Sequence, residues 1–146
     1  MAQHLLDVNA LIALGWSAHV HHDTMVNWIS RHARAGWATC AFTHAAFVRV
    51  LSQPALGRAS STVAELAEAL KHNLAHPAHR LLALDFDFAE VLARCSGGVV
   101  GHRQVSDAYL LTAAMRAGMK LLTFDSGVGT LLASDAERAA NIELLR

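Results

Sequence analysis

Short apolar runs alternate along the chain with longer stretches that carry apolar residues at helical spacing. Such runs, bounded by glycine or polar residues, are typical of buried strands, whereas apolar residues three or four positions apart favour helices. Strands are therefore predicted at residues 4–7, 37–42, 80–84, 120–123 and 141–145. Helices are predicted at residues 8–14, 23–34, 60–74, 87–94 and 105–117, with a further helix between residues 43 and 54.

Capping residues and helix breakers define the predicted ends of several helices. Asp23 and Thr43 have side chains that can accept a hydrogen bond from the first turn of a helix, so each is predicted as an N-cap. Pro54 and Gly57 are expected to close the helix that Thr43 begins, because proline lacks a backbone donor and glycine favours turns. The next helix is then predicted to begin at Ser60.

The order of strands and helices predicts the class of fold. Strands separated by helices, with connections too long for hairpins, favour a mostly parallel sheet covered by helices on both faces. The expected architecture is an α/β fold with α/β/α layers. Ligands of such sheets bind at the carboxyl ends of the strands. Functional residues are therefore expected just after the apolar runs.

Composition limits the classes of function. The 146 residues are 53% hydrophobic, which fits one domain, residues 1–146, with a sizeable core. Twelve basic residues balance 12 acidic ones, so the chain lacks the charge excess of disordered tails and histone-like binders. A nucleic-acid partner must therefore be argued from a local site rather than from net charge.

Cysteine usage and the N-terminal segment indicate the compartment. Cys40 and Cys95 form neither a CxxC pair nor a disulfide framework, so both are expected to be buried thiols in a reducing cytosol. The first residues lack the charged region of a signal peptide, and no apolar run reaches the roughly 20 residues that a membrane span needs. The chain is expected to be soluble and cytoplasmic, with no membrane partner.

Three aspartates lie where this fold predicts a site. Asp7 ends the first strand, Asp125 follows the fourth, and Asp107 lies in the first turn of the helix after a glycine-containing loop. Each aspartate alone could be a helix cap or a partner of the helix dipole. Asp7 and Asp125 together share one sheet edge, where like charges repel unless a divalent cation binds between them. A carboxylate cluster without Cys or His ligands favours Mg²⁺ or Mn²⁺.

Four segments together resemble one protein family. In chain order they are LLDVNALIAL, TCAFTHAAFVRVLS, GHRQVSDAYLLTAAMRAGMKLLTFDSGV and the terminal IELL. These segments resemble PIN-domain ribonucleases, specifically the VapC-type toxins of bacterial toxin–antitoxin pairs. The resemblance implies an α/β/α sandwich and a Mg²⁺- or Mn²⁺-dependent endoribonuclease that cleaves structured RNA such as tRNA or rRNA. It also implies a homodimer and a cognate antitoxin that blocks the site.

The resemblance gives roles to individual residues. Carried over by position, the catalytic and metal-binding acids are Asp7, Asp107 and Asp125, with Asn9 and Thr123 as hydrogen-bonding support. A metal-activated water would attack the phosphodiester, so products with 5′-phosphate and 3′-hydroxyl ends are expected. Basic groups near the site are expected to position the RNA backbone. The candidates are Arg49, His102 and Arg103.

His44 is the position at which the chain departs from the family, which usually has a glutamate after this threonine. As a metal ligand, His44 would favour Mn²⁺ over Mg²⁺ and would weaken binding in mild acid, where imidazole becomes protonated. Alternatively, His44 faces the groove and hydrogen-bonds a water or a phosphate. Asp85 and Asp87 lie after another predicted strand and could supply a substitute carboxylate.

Two other functions fit parts of the sequence. Asp85-Phe86-Asp87 resembles the paired aspartates of haloacid-dehalogenase-like phosphatases, but neither Lys71 nor Lys120 lies in a matching motif. With His44 in place of an acid, the chain could instead be a catalytically weak PIN-like module that mainly binds protein or RNA. Metal-dependent cleavage of RNA would discriminate the nuclease from the binding module.

Histidines and tryptophans also suggest binding sites. Residues His72, His76 and His79 have the spacing of zinc ligands, but Pro77 interrupts their helix, and solvated positions are favoured. Three tryptophans could stack on bases. Residues 28 and 37 occupy positions typical of a core, whereas Trp16, next to a glycine, could be exposed.

Overall fold

The computed structural model describes residues 1–56 and 61–146. The predicted helix boundaries at Gly57 and Ser60 lie outside the described residues. In the described ranges, the strands are β1 His4–Leu6, β2 Trp37–Thr39, β3 His79–Leu81, β4 Lys120–Thr123 and β5 Ile142–Leu144. They form one sheet in the order β3-β2-β1-β4-β5, and every neighbouring pair is parallel.

Helices alternate with these strands along the chain. They are α1 Val8–Gly15, α2 His22–His32, α3 Ala41–Leu51, α4 Val63–Asn73, α5 Phe88–Arg94, α6 Val105–Arg116 and α7 Asp135–Asn141. Short 3-10 turns join some of them. The predicted α/β fold with a parallel sheet between helical layers is confirmed.

The two faces of the sheet carry separate parts of the core. Leu5 and Leu121 belong to a buried cluster with residues of α5 and α6. Leu6 and Leu122 point to the other face and belong to a cluster with residues of α1 and α2. Because both faces of these strands are buried, their sequences are continuous apolar runs.

Two predicted N-caps are wrong. Asp23 lies in the first turn of α2, whose cap position is His21. Thr43 lies inside α3, where its hydroxyl accepts a hydrogen bond from the Cys40 N–H at 3.3 Å and donates to the Cys40 carbonyl at 2.9 Å. These contacts tie the first turn of α3 to the chain leaving β2, so β2 stops at Thr39, earlier than predicted.

The short helix α7 was not predicted because it carries no buried apolar side chain. Its start is nevertheless marked by a capping box, the pattern S-x-x-E. The Ser134 hydroxyl accepts from the Glu137 N–H at 3.2 Å, and the Glu137 carboxylate accepts from the Ser134 N–H at 3.1 Å. This helix packs against β4 and β5.

Several predictions about buried residues are confirmed. Trp28 and Trp37 are buried in the core, and Cys40 and Cys95 are buried free thiols. None of the helices in the described ranges has the length and apolar character needed to cross a bilayer.

Candidate active site

The candidate site lies where the strand order changes direction. Strand β1 lies between β2 and β4: the chain runs from β1 to β2 and β3 on one side and then crosses to β4 and β5 on the other. A crevice opens at such a point at the carboxyl ends of the strands. Asp7 follows β1, and its N–H donates to the carbonyl of Leu122 in β4 at 3.0 Å. Asp125 comes two residues after the end of β4.

Asp7 is the most constrained of the three candidate acids. One carboxylate oxygen accepts from the Val8 N–H at 2.6 Å, so Asp7 is the N-cap of α1. The other oxygen accepts from the Thr123 hydroxyl at 2.7 Å. Only 3% of the residue is exposed, and this burial raises the pKa of Asp7 despite both hydrogen bonds. Asp7 therefore has the capping role as well as a place in the cluster.

Thr123 connects Asp7 to Asp125. The same hydroxyl that donates to Asp7 accepts from the Asp125 N–H at 3.0 Å. The Asp125 carboxylate is exposed and accepts from the Gly127 N–H at 2.8 Å, which caps a 3-10 turn. The hydroxyl of Thr123, which was predicted as a supporting residue, thus contacts the carboxylate of Asp7 and the backbone of Asp125.

Asp107 reaches the same site from the first turn of α6. Burial raises the pKa of Asp107 to about 6, and the negative charges of Asp7 and Asp125 add to this effect. The charge of Asp125 also raises the pKa of Asp7. The three carboxylates, from three separate elements, therefore form one cluster of like charge, which is called the acidic cluster below.

The acidic cluster has the chemistry of a site for a hard divalent cation. In the described ranges, none of the ion pairs involves Asp7, Asp107 or Asp125. In the same ranges, no three His, Cys, Asp or Glu side chains are already gathered into a set that could hold a metal ion. Mg²⁺ usually binds through one or two carboxylates and keeps several waters. The three carboxylates are thus oxygen donors of the type that Mg²⁺ binds, but in the described ranges they do not form a complete set of ligands by themselves.

Replacing Asp107 by asparagine is expected to stabilise the metal-free chain. The carboxyl has a pKa of about 6 in the folded chain and 3.8 as its ordinary value, so the folded state binds the proton more tightly. Ionisation therefore costs stability as the pH rises through this window, and the full cost is present above it. Asp107→Asn should raise the free energy of unfolding in EDTA at neutral pH by about 1–3 kcal/mol.

Chemical denaturation at neutral pH and at about pH 4 measures this effect, and the gain should shrink towards zero in acid. Glu68→Gln, at an exposed position of α4, is the matched exchange of an acid for an amide and should give no gain. Equal or lower stability of Asp107→Asn at neutral pH would show that Asp107 is a structural first-turn acid instead.

His44 lies in the first turn of α3, close to the end of β2. Its Nε2 lies 2.6 Å from the Thr39 hydroxyl, and the Nε2 of His79 lies 2.7 Å from the same oxygen. Burial lowers the pKa of both His44 and His79, and the charge of His44 adds to the lowering at His79. The structure thus gives His44 a hydrogen-bonded place beside β2. Its partner Thr39, and the His79 ring that contacts the same hydroxyl, were not predicted from the sequence.

The other predicted site residues are exposed and lie in three different elements. Asn9 is exposed in the first turn of α1, two residues after Asp7. His102 and Arg103 are exposed in the 3-10 turn that leads into α6. Arg49 is exposed in the last turn of α3, about 12 Å along the helix from its first residue.

Asp85 and Asp87 have structural partners of their own. The Asp85 carboxylate lies 3.6 Å from Arg116, and Asp87 caps α5 by accepting from the Glu90 N–H at 3.2 Å. The pKa of Asp107 is raised by burial and by the charges of Asp7 and Asp125, and neither Asp85 nor Asp87 is among the causes. These contacts give both residues structural roles, while the substitute carboxylate and the phosphatase motif stay predictions.

The sequence of the chain matches a known domain family. A family model described as the PIN domain matches residues 4–129, which include all three candidate acids. The chain belongs to the PIN-domain family.

Proteins of the VapC type within that family are similar in sequence to this chain. Ribonuclease VapC38 of Mycobacterium tuberculosis H37Rv is 44% identical over 127 residues, covering 87% of this chain and 88% of that protein. Ribonuclease VapC39 of the same strain is 35% identical over 141 residues, covering 97% and 98%. The predicted resemblance to VapC-type PIN-domain toxins is confirmed.

Solved structures support the same fold. A crystal structure of VapBC2 from Rickettsia felis, bound to a DNA fragment from their promoter, matches with a TM-score of 0.68 and 13% identity. The match covers 97% of this chain and 98% of that chain. PAE2754 from Pyrobaculum aerophilum matches with a TM-score of 0.59 and 25% identity, covering 97% and 83%.

Proposed function

We propose that the chain is a divalent-metal-dependent endoribonuclease toxin that cleaves structured cellular RNA, such as tRNA or rRNA. The observation that carries the proposal is the acidic cluster: besides burial, the charge of Asp125 raises the pKa of Asp7, and the charges of Asp7 and Asp125 raise the pKa of Asp107. None of the three carboxylates has an ion-pair partner in the described ranges. The names of the similar VapC proteins, all ribonucleases, support RNA as the substrate.

The acidic cluster is the proposed binding site of Mg²⁺ or Mn²⁺, which would supply an activated water and neutralise charge on the phosphodiester. Asp7 is the fixed ligand, since hydrogen bonds hold both of its carboxylate oxygens. Thr123 orients Asp7 and the backbone of Asp125 through one hydroxyl. Asp107 binds a cation only in its ionised form, which predominates above its pKa of about 6.

Basic and polar residues around the cluster are proposed to position the RNA. His102 and Arg103 precede α6 by at most three residues, so they lie on the same end of that helix as Asp107. Cations at this position can bind phosphates and set the register of the backbone. Asn9 is the proposed polar support beside Asp7, and Arg49 is the proposed contact for RNA further along α3.

An antitoxin protein and a second copy of the chain are the proposed protein partners. The structural neighbour VapBC2, described on promoter DNA, supports a partner of the antitoxin kind. An antitoxin arginine placed on the acidic cluster would form charge-assisted hydrogen bonds with the carboxylates and would exclude a metal ion. Inhibition by competition for the same three acids follows from this arrangement.

Incubation of the purified chain with total cellular RNA tests the proposal. Cleavage at defined positions is expected with Mn²⁺ or Mg²⁺, and end mapping should give 5′-phosphate and 3′-hydroxyl termini. Excess EDTA should stop the reaction. Undiminished cleavage in EDTA would contradict a metal-dependent mechanism.

A catalytically weak binding module is the second candidate function, and His44 favours it. This position carries no carboxylate, and its imidazole is hydrogen-bonded to Thr39. A site with three acids would bind a cation less strongly than one with four. The module predicts that RNA or a protein partner binds in the same experiment while metal-dependent cleavage is absent.

A further inference from the structure

The loop between α1 and α2 carries a row of aromatic rings that ends next to the acidic cluster. The ring centroids of Trp16 and His19 are 6.1 Å apart, and those of His19 and His21 are 5.7 Å apart. His21 stacks on Phe124, with centroids 4.4 Å apart and planes 10° from parallel. All four residues are only half-buried, and Phe124 directly precedes Asp125. These four rings are called the aromatic row below.

Hydrogen bonds hold the loop that carries the aromatic row. The His19 N–H donates to the Trp16 carbonyl, and the His22 N–H donates to the His19 carbonyl, both at 3.0 Å. The His21 N–H donates to Nδ1 of His19 at 3.0 Å. The ring of His22 lies 2.7 Å from the carbonyl of Ala13 and so ties the loop to α1. A loop ordered in this way loses little conformational entropy when it binds a ligand.

The chemistry of the aromatic row fits nucleobases better than phosphates. Residues 16–22 contain no lysine or arginine. Burial lowers the pKa of His19, and the charges of His21 and His22 add to this, so the His19 ring is neutral at pH 7. Neutral rings stack on bases, whereas phosphates bind to cations. Base faces are accessible in unpaired RNA and covered in a duplex.

We infer that the aromatic row, Trp16, His19, His21 and Phe124, is a stacking platform for unpaired RNA bases that leads a single-stranded segment to the acidic cluster. The inference deepens the proposed function and rests on it for the identity of the RNA as the substrate. Phe124 lies between the last residue of β4, Thr123, and Asp125. A nucleotide chain that crosses the end of β4 can therefore meet the Phe124 ring and the Asp125 carboxylate on adjacent residues.

RNA binding without cleavage tests this platform. A fluorescently labelled, unpaired RNA of about eight nucleotides is titrated with the chain in EDTA, next to the same sequence in a duplex. The wild-type chain should bind the unpaired RNA more tightly. His21→Ala and Trp16→Ala should each weaken that binding about tenfold, the effect of losing one stacked base.

Two control variants separate stacking from charge and from folding. His21→Phe keeps an aromatic ring without an ionisable group and should retain most of the affinity. His72→Ala removes an exposed histidine from α4 and should leave binding unchanged. Thermal unfolding of each variant verifies that the chain is folded. Trp28 and Trp37 are buried, so quenching of tryptophan fluorescence by RNA should be lost in Trp16→Phe.

Unchanged RNA affinity in folded His21→Ala and Trp16→Ala would overturn the inference, as would equal affinity for the duplex. If these variants lose affinity for the cognate antitoxin but keep that for RNA, the row is a protein-binding surface and the inference is wrong. The proposed nuclease is judged separately, by cleavage with Mn²⁺. If the chain binds unpaired RNA through the aromatic row but does not cleave it, only the proposed nuclease function is refuted. If cleavage is unaffected by the substitutions in the aromatic row, only the inferred stacking platform is refuted.

Discussion

Asp7→Asn is expected to lower the rate of metal-dependent RNA cleavage by at least about 100-fold. Loss of a residue that only hydrogen-bonds a metal ligand already lowers metal affinity or activity by about 10–100-fold, and loss of a ligand itself should cost more. The asparagine side-chain carbonyl can still accept a hydrogen bond from the Val8 N–H. Its side-chain NH₂ can donate to the Thr123 hydroxyl, which reverses the direction of the hydrogen bond that this hydroxyl donates to Asp7. The fold is therefore expected to persist. What the variant lacks is the negative charge that binds the cation.

Asp107→Asn and Asp125→Asn are expected to lose activity to a similar extent, because each removes one carboxylate from the same cluster. Cleavage rates on one defined RNA with saturating Mn²⁺ give the comparison, with Glu68→Gln as the exposed control. Circular dichroism verifies folding. Substantial cleavage by all three folded variants would contradict the role of the acidic cluster.

The sequence was sufficient to place Asp7 and Asp125 together because both follow strands of a parallel sheet. Asp7 and Asp125 each follow an apolar run, and parallel strands bring their carboxyl ends to one edge. The pairing of Leu6 with Leu122 places the two runs side by side. Asp107 required more, since only the packing of α6 against β1 and β4 brings a helix residue to that edge.

The environment of His44 could not be predicted from local patterns. Its ring contacts Thr39, five residues away, and this hydroxyl also contacts His79, which is 40 residues from Thr39 in the chain. Periodicity places His44 near the edge but gives no information on which strand its ring faces. The aromatic row was missed for the same reason, because Phe124 meets His21 only after α2 has packed on the sheet.

Metal binding is expected to weaken as the pH falls below about 6, by about tenfold for each pH unit, because the cation must then displace the Asp107 proton. The sign follows from the raised pKa, since the carboxyl is ionised and ready to bind above this value and protonated below it. Burial raises the pKa of Asp7 as well, so a second proton makes the decline steeper at lower pH.

Calorimetric titration with Mn²⁺ in buffers of different ionisation enthalpy measures both the affinity and the protons released. From the Asp107 carboxyl this release should be about half a proton per ion at pH 6 and should approach one proton about one pH unit lower. His44→Gln decides which group titrates. Burial lowers the pKa of His44, and its Nε2 faces Thr39, so its removal should leave the pH profile of binding unchanged. A profile that flattens in His44→Gln would instead make this imidazole a ligand of the ion. Removal of the Asp107 carboxyl should leave weak binding that is nearly independent of pH around 6, because the proton that competes with the cation is then gone.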